Sequence, residues 1–131
     1  MVYLASPFFN GKELKVYKKV IDYLRNTLKY DLFVPQEHEV PNAWDMSNED
    51  WAKAVFQMDL EALEACDTVV VLNWGLYSDT GTAWECGYAY AKGKKIYNIM
   101  LNNETNDFSL MLYGGCSVNI RPKENYFLKS T

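Results

Sequence analysis

Histidine is almost missing from this chain of 131 residues: there is one, His38. A serine or cysteine nucleophile normally leans on an imidazole, so that catalytic class has a single candidate base and no clear partner for it. Cysteine is also scarce. Cys66, Cys86 and Cys116 are odd in number, widely spaced and set among apolar residues. That excludes a disulfide framework and a zinc ligand set by spacing, and predicts buried thiols in a reducing compartment. Positive charge is in the minority, with a net charge of −4, so nothing favours binding to nucleic acid or an anionic membrane. No apolar run approaches the roughly 18 residues of a membrane span. The first residues, MVYLASPFF, lack the basic start and long apolar centre of a secretory signal. A cytoplasmic protein is expected. Neither G-x-x-x-x-G-K-[ST] nor G-x-G-x-x-G occurs, and Ser6-Pro7-Phe8-Phe9 has no Ser/Thr/Gly run to wrap a phosphate. Neither a nucleotide cofactor, FMN nor a metal is expected.

What the chain does contain is enough for one domain spanning residues 1–131, at 49% hydrophobic and 23% charged. Aromatics reach 15%, including ten Tyr and four Trp. Both types join an apolar body to a polar handle, which suits an oligomer interface or a flat aromatic ligand.

The order of elements follows from periodicity. Residues 2–5 form a short apolar strand stopped by Ser6-Pro7. Asn10 and Glu13 have capping-box spacing, and Leu14, Tyr17, Val20, Ile21, Leu24 and Leu28 recur at helical spacing up to about Lys29. A second strand covers 31–34 and ends at Pro35. Residues 36–46, QEHEVPNAWDM, are polar, aromatic and long for a plain connection. Loops of this kind gather functional residues, which makes Gln36 and His38 candidates for ligand contact, although a lone loop histidine is commonly only a polar surface residue. Ser47 with Asp50 marks the next helix start. On a helical wheel Ala52, Val55, Phe56, Ala62, Leu63 and Cys66 share one stripe, and Asp59 lies at its centre. Residues 67–73 make a nearly all-apolar strand, as a central parallel strand requires. A helix then runs from Thr80 to a stop at Gly93, a fourth strand covers 95–101, and a short apolar segment spans 108–113 before Gly114-Gly115. A fifth strand at 117–120 precedes a tail with Tyr126, Phe127 and Leu128. Alternating strands and helices predict an α/β three-layer sandwich, flavodoxin-like (Rossmann-like), with a five-stranded parallel sheet in the order 2-1-3-4-5. Its crevice lies beyond the carboxyl ends of strands 1 and 3.

Three acids converge on that crevice. Glu85 is the only charged residue between Thr80 and Ala91, Asp79 stands six residues before it, and Asp59 points from the preceding helix toward the core. A helix N-terminus favours an ionised Glu85, suited to act as nucleophile or electrostatic stabiliser, whereas burial keeps Asp59 protonated as an acid. Two carboxyls with separated pKa values are the usual equipment for cleaving glycosyl bonds, C–N bonds included. The plainer reading of Asp59 is a structural carboxylate bonded to a nearby loop.

The segment Asp79-Thr-Gly-Thr-Ala-Trp-Glu85-Cys-Gly-Tyr-Ala resembles the signature of the nucleoside 2-deoxyribosyltransferase family. Tyr3-Leu-Ala-Ser-Pro-Phe-Phe is similar to that family's first strand and loop, Asp59-Leu to its helical Asp, and Ser109-Leu-Met111 to a late polar-x-Met element. The likeness covers most of residues 2–120. It implies that Glu85 attacks the anomeric carbon of a 2′-deoxynucleoside, and that Asp59 handles the proton of the departing base. A second free nucleobase then accepts the sugar with retention. It also implies that Asp79 binds the 5′-hydroxyl, Tyr3 orients Glu85 and Phe8 walls the base. The resemblance further implies that Ser109 and Met111 complete a neighbouring subunit's site in a homo-oligomer. Transferases of the family often carry Asn where Ser109 stands. A branch that hydrolyses deoxynucleoside 5′-monophosphates has Ser there, but also Ser where Asp79 stands. Asp79 would repel a dianionic phosphate by several kcal/mol in a low-dielectric pocket, which favours a nucleoside. Two alternatives stay open: an N-glycoside hydrolase of deoxynucleosides or their 5′-monophosphates, and a nucleoside- or nucleotide-sensing domain without turnover.

Overall fold

The structure is a computed structural model that describes residues 1–7, 11–75, 79–101 and 108–122. Its elements are β1 (Val2–Ala5), α1 (Gly11–Asp22), β2 (Leu32–Phe33), α2 (Asn48–Ala65), β3 (Thr68–Asn73), α3 (Thr80–Ala91), β4 (Lys95–Met100), α4 (Leu110–Gly115) and β5 (Val118–Ile120). All strands pair in parallel, in the order β2-β1-β3-β4-β5. This is the flavodoxin-like sheet expected from the sequence.

Strand alternation sends successive side chains to opposite faces, and each face has its own core. On one, Val2, Leu4, Val70, Leu72 and Ile99 meet Val16, Tyr17 and Val20 of α1. On the other, Tyr3, Ala5, Val69, Val71 and Ile96 meet Ala62 and Leu63 of α2, Cys86 and Ala89 of α3, and Leu112 of α4. The edge strand β5 is tied in by polar groups: Asn98 donates to Asn119 (2.9 Å), and Ile96 N–H donates to the Ser117 hydroxyl (2.9 Å).

Several boundaries depart from the sequence expectation. The first helix relaxes into a π-helical turn, Tyr23–Thr27, before Lys29 turns left-handed at φ 60°. β2 has two residues rather than four, because Pro35 offers no N–H and opens a 3-10 turn, Pro35–Glu37. The 36–46 stretch holds that turn and a second, Ala43–Asp45, entered through a left-handed Asn42. Arg25 anchors it with two bonds to Glu37 (2.9 and 2.8 Å). The 108–113 segment is helical at its end: Ser109 caps α4 by accepting from Leu112 N–H (3.4 Å), and Gly114-Gly115 lie within the helix. Asn10 and the tail from residue 123 lie outside the described residues.

The expected buried stripe of α2 holds only at its C-terminal end. Ala62, Leu63 and Cys66 are buried, whereas Ala52 is exposed and Phe56 is 49% exposed. The cause is length. An 18-residue helix is about 27 Å long, against about 20 Å for a six-residue strand, so the first turns of α2 overhang the carboxyl edge of the sheet. That overhang makes one wall of the cleft.

Candidate active site

A cavity of about 600 Å³ opens at the carboxyl end of β1, between the α2 overhang and the start of α3. Leu4 and Ser6 form its floor, Phe56, Asp59 and Leu60 one side, and Asp79, Thr80, Gly81, Trp84 and Glu85 the other. Asp59 of α2, Asp79 at the start of α3 and Glu85 within α3 therefore share one cleft.

Glu85 is the sixth residue of α3, in its second turn. Tyr3 rises from the middle of the sheet, wholly buried, and donates its hydroxyl to Glu85 Oε2. Burial pushes the Glu85 carboxyl up to about 7, with a smaller contribution from the charges of Asp59 and Asp79, while the Tyr3 bond opposes the rise. Here the expectation from helix position is corrected. A helix N-terminus favours the carboxylate only within the first turn, and at the second turn burial dominates. Burial, then the Glu85 charge and hydrogen bond, drive the Tyr3 phenol far above its usual range, so it remains a donor.

Asp59 is half-buried and its pKa is raised by burial, against a small opposing effect of His38. Its Oδ1 is enclosed yet has no hydrogen-bond partner among the described residues. A structural Asp bonded to a loop would satisfy that atom. Asp79 is the N-cap of α3: its Oδ2 accepts from Thr82 N–H (2.9 Å) and the Thr82 hydroxyl (3.3 Å). Both bonds use Oδ2 and neither engages Oδ1. A Cβ at Gly81 would stand 3.0 Å from Asp79 Oδ2, so a larger residue there would press this cap to shift by a few tenths of an ångström.

Gln36 lines the cleft while its amide braces the loop, donating to Ser6 O (2.9 Å) and accepting from Tyr17 (3.3 Å). Pro35, Gln36 and Asp59 also border an adjoining cavity of about 830 Å³ walled by His38, Trp44, Trp51 and Met58. His38 stacks on Phe33 at 4.3 Å, and Phe33 stacks on Tyr3 at 5.7 Å. Ser109 and Met111 are elsewhere. They line a separate cavity beside Cys86 and Tyr90, and Met111 is 86% exposed. Phe8 lies outside the described residues. Phe56, which the helical wheel assigns to the core stripe, and Trp84, which stands within the quoted signature, meet edge to face at 5.3 Å on the cleft rim, a place the sequence reading gave to neither. No set of His, Cys, Asp and Glu among the described residues is placed to hold a metal.

Fold and cleft together define a flavodoxin-like α/β enzyme domain that gathers carboxyls, two of them with raised pKa, at the open end of its sheet. More narrowly, the chain belongs to the nucleoside 2-deoxyribosyltransferase family, whose model matches residues 2–121. The family and its structural neighbours indicate deoxyribosyltransferase or related N-glycosidase activity, and the family implies nucleoside and nucleobase substrates. A 2-deoxyribosyltransferase from Bacillus psychrosaccharolyticus is similar in structure, with TM-score 0.80, 32% identity, and coverage of 98% of this chain and 91% of that one. A CMP N-glycosidase from Clostridium botulinum matches with TM-score 0.58 and 26% identity over 91% of this chain and 85% of its own. A conserved protein from Enterococcus faecalis shares the fold, with TM-score 0.77 and 23% identity over 96% of this chain and 93% of that one. No curated protein matches the sequence. No helix among the described residues is long and apolar enough to cross a membrane.

Proposed function

We propose that the protein transfers the 2-deoxyribosyl group of a 2′-deoxynucleoside to another nucleobase through a covalent glutamyl intermediate with net retention. One observation carries this reading. A partly buried glutamate, oriented by a tyrosine hydroxyl, shares a cleft with an aspartate whose enclosed Oδ1 has no partner among the described residues.

In this mechanism ionised Glu85 attacks the anomeric carbon as the C–N bond breaks, and protonated Asp59 donates to the departing base. The intermediate is an ester of Glu85. The incoming base attacks the same carbon from the vacated side and returns its proton to Asp59. Two inversions give retention. Tyr3 holds Glu85 in the attacking rotamer. Asp79 accepts from the 5′-hydroxyl through Oδ1, and its charge disfavours a 5′-phosphate. Gln36 positions the loop over the base and Phe8 walls it. Ser109 and the exposed Met111, which line a cavity separate from their own chain's cleft, serve the cleft of a second copy in a homo-oligomer. A cytoplasmic role in nucleoside salvage and breakdown fits this chemistry.

Incubation with one deoxynucleoside and a different free base tests the proposal, read by chromatography. Exchanged nucleoside is expected. Free deoxyribose with no exchange would favour the hydrolase, a reading that Ser109 supports. Binding of nucleoside with neither product would indicate a sensing domain.

A further inference from the structure

Asn98 stands in the middle of β4 with 0% of its surface exposed, on the face that strand alternation shares with Ile96. Ile96 belongs to the apolar core beneath α2, α3 and α4. A side-chain amide in that layer is costly unless its groups are bonded, and an aliphatic residue would suit the core better. The Asn98 Oδ1 is enclosed and has no hydrogen-bond partner among the described residues. Its Nδ2 donates to Oδ1 of Asn119 (2.9 Å), the residue opposite it in the β4–β5 register. Asn119 extends the link, because its own Nδ2 donates to Tyr113 O in α4 (3.1 Å). That helix has only six residues, and the carbonyls of a last turn find no partner inside a helix. Asn119 supplies a bond that α4 cannot make for itself. Strand pairing does not need the two amides. Ser117 already joins β5 to Ile96, through Ser117 N–H to Ile96 O and Ile96 N–H to the Ser117 hydroxyl (both 2.9 Å).

We propose that Asn98 and Asn119 are positioning residues that anchor α4 to the sheet and hold Ser109 and Met111 at the angle from which they complete a neighbouring cleft. This deepens the proposed function and rests on the role given there to Ser109 and Met111. A donor on Oδ1 of Asn119 fixes which way its amide points, so Asn98 aims the Asn119 N–H groups at the helix. Neither residue lines the cleft of its own chain, so their effect on the reaction passes through α4.

Two variants test the anchor. Asn119→Asp separates its two bonds, since a carboxylate still accepts from Asn98 but has no N–H for Tyr113 O. Asn98→Leu removes the buried amide altogether. Both should fold, and Asn98→Leu should melt at or above the wild-type temperature. Hydrogen–deuterium exchange should be about threefold faster or more in α4 of both variants, and unchanged in α3. KM for a deoxynucleoside should rise about fivefold with kcat nearly constant, as when a contact made equally in ground and transition states is weakened. Mixed oligomers with Glu85→Ala chains should return KM to the wild-type value, because the intact cleft of the variant chain then meets an intact α4. Unchanged or higher stability beside weaker substrate binding is not the signature of a purely structural pair. The hydrogen–deuterium readout needs no turnover, so a loosened α4 in a chain without transferase activity would count against the proposed function and for the anchor. Wild-type hydrogen–deuterium exchange of α4 in both variants, or a raised KM that persists in verified mixed oligomers, would overturn the proposal.

Discussion

Glu85 is held where its charge is unwelcome, and two measurable consequences follow. With the folded carboxyl at about 7 against an ordinary 4.5, the native state keeps a proton that the unfolded chain has already lost between those values. Stability therefore falls as pH rises through that window and levels off above it, a loss of up to about 3 kcal/mol. Glu85→Gln removes the titration. It should unfold like the wild type near pH 4 and be more stable by roughly 1–3 kcal/mol at about pH 8, as urea melts at the two pH values would show. The same variant should lose at least about 10³-fold in exchange rate. Equal stability of variant and wild type at both pH values would contradict the buried-acid assignment. Tyr3→Phe deletes the one neighbour that lowers the Glu85 pKa, so the acid limb of kcat/KM, expected near 7 for wild type, should move to higher pH. Glu85 itself was legible in the sequence, since no other residue from 80 to 91 is charged. The direction of its pKa was not, because burial depends on Tyr3, on the sheet and on acids from other elements.

Among the elements, the start of α3 combines a structural cap with the recognition proposed for Asp79. Asp79 caps the helix through Oδ2, and Gly81 keeps the space that this carboxylate needs. Gly81→Ala gains about 1 kcal/mol of helix propensity and forfeits a similar amount by straining the cap. Its melting temperature should thus hardly change, while KM for a deoxynucleoside rises about tenfold, the worth of one displaced hydrogen bond. A KM unchanged within error would remove Asp79 from substrate contact. α2 shows where reading elements one at a time stops. Its cap at Ser47 and the inward aim of Asp59 follow from spacing, but the wheel assigns Ala52 and Phe56 to the core as well. A wheel has no knowledge that the sheet beneath is shorter than the helix.

For the whole molecule, the strand order and the crevice it creates were legible, because alternating apolar runs and helical repeats leave few topologies open. How copies of the chain meet was not. Trp84, Tyr90, Leu110, Met111 and Tyr113 are exposed on the α3 and α4 side. Such large outward apolar groups suit an interface between copies. If Met111 completes a neighbour's cleft, co-expressed Glu85→Ala and Met111→Ala chains should regain exchange activity that each lacks alone, since mixed oligomers pair an intact Glu85 with an intact Met111. Continued inactivity of a verified mixed oligomer would place each site within one chain. The most direct measurement concerns the covalent step. Incubation with a 2-fluoro-2-deoxyribosyl nucleoside slows release of the glycosyl-enzyme, and mass spectrometry of the digested protein locates the trapped sugar. A label on the Glu85 peptide, absent from Glu85→Ala, is the predicted result; a label on any other residue would overturn the mechanism.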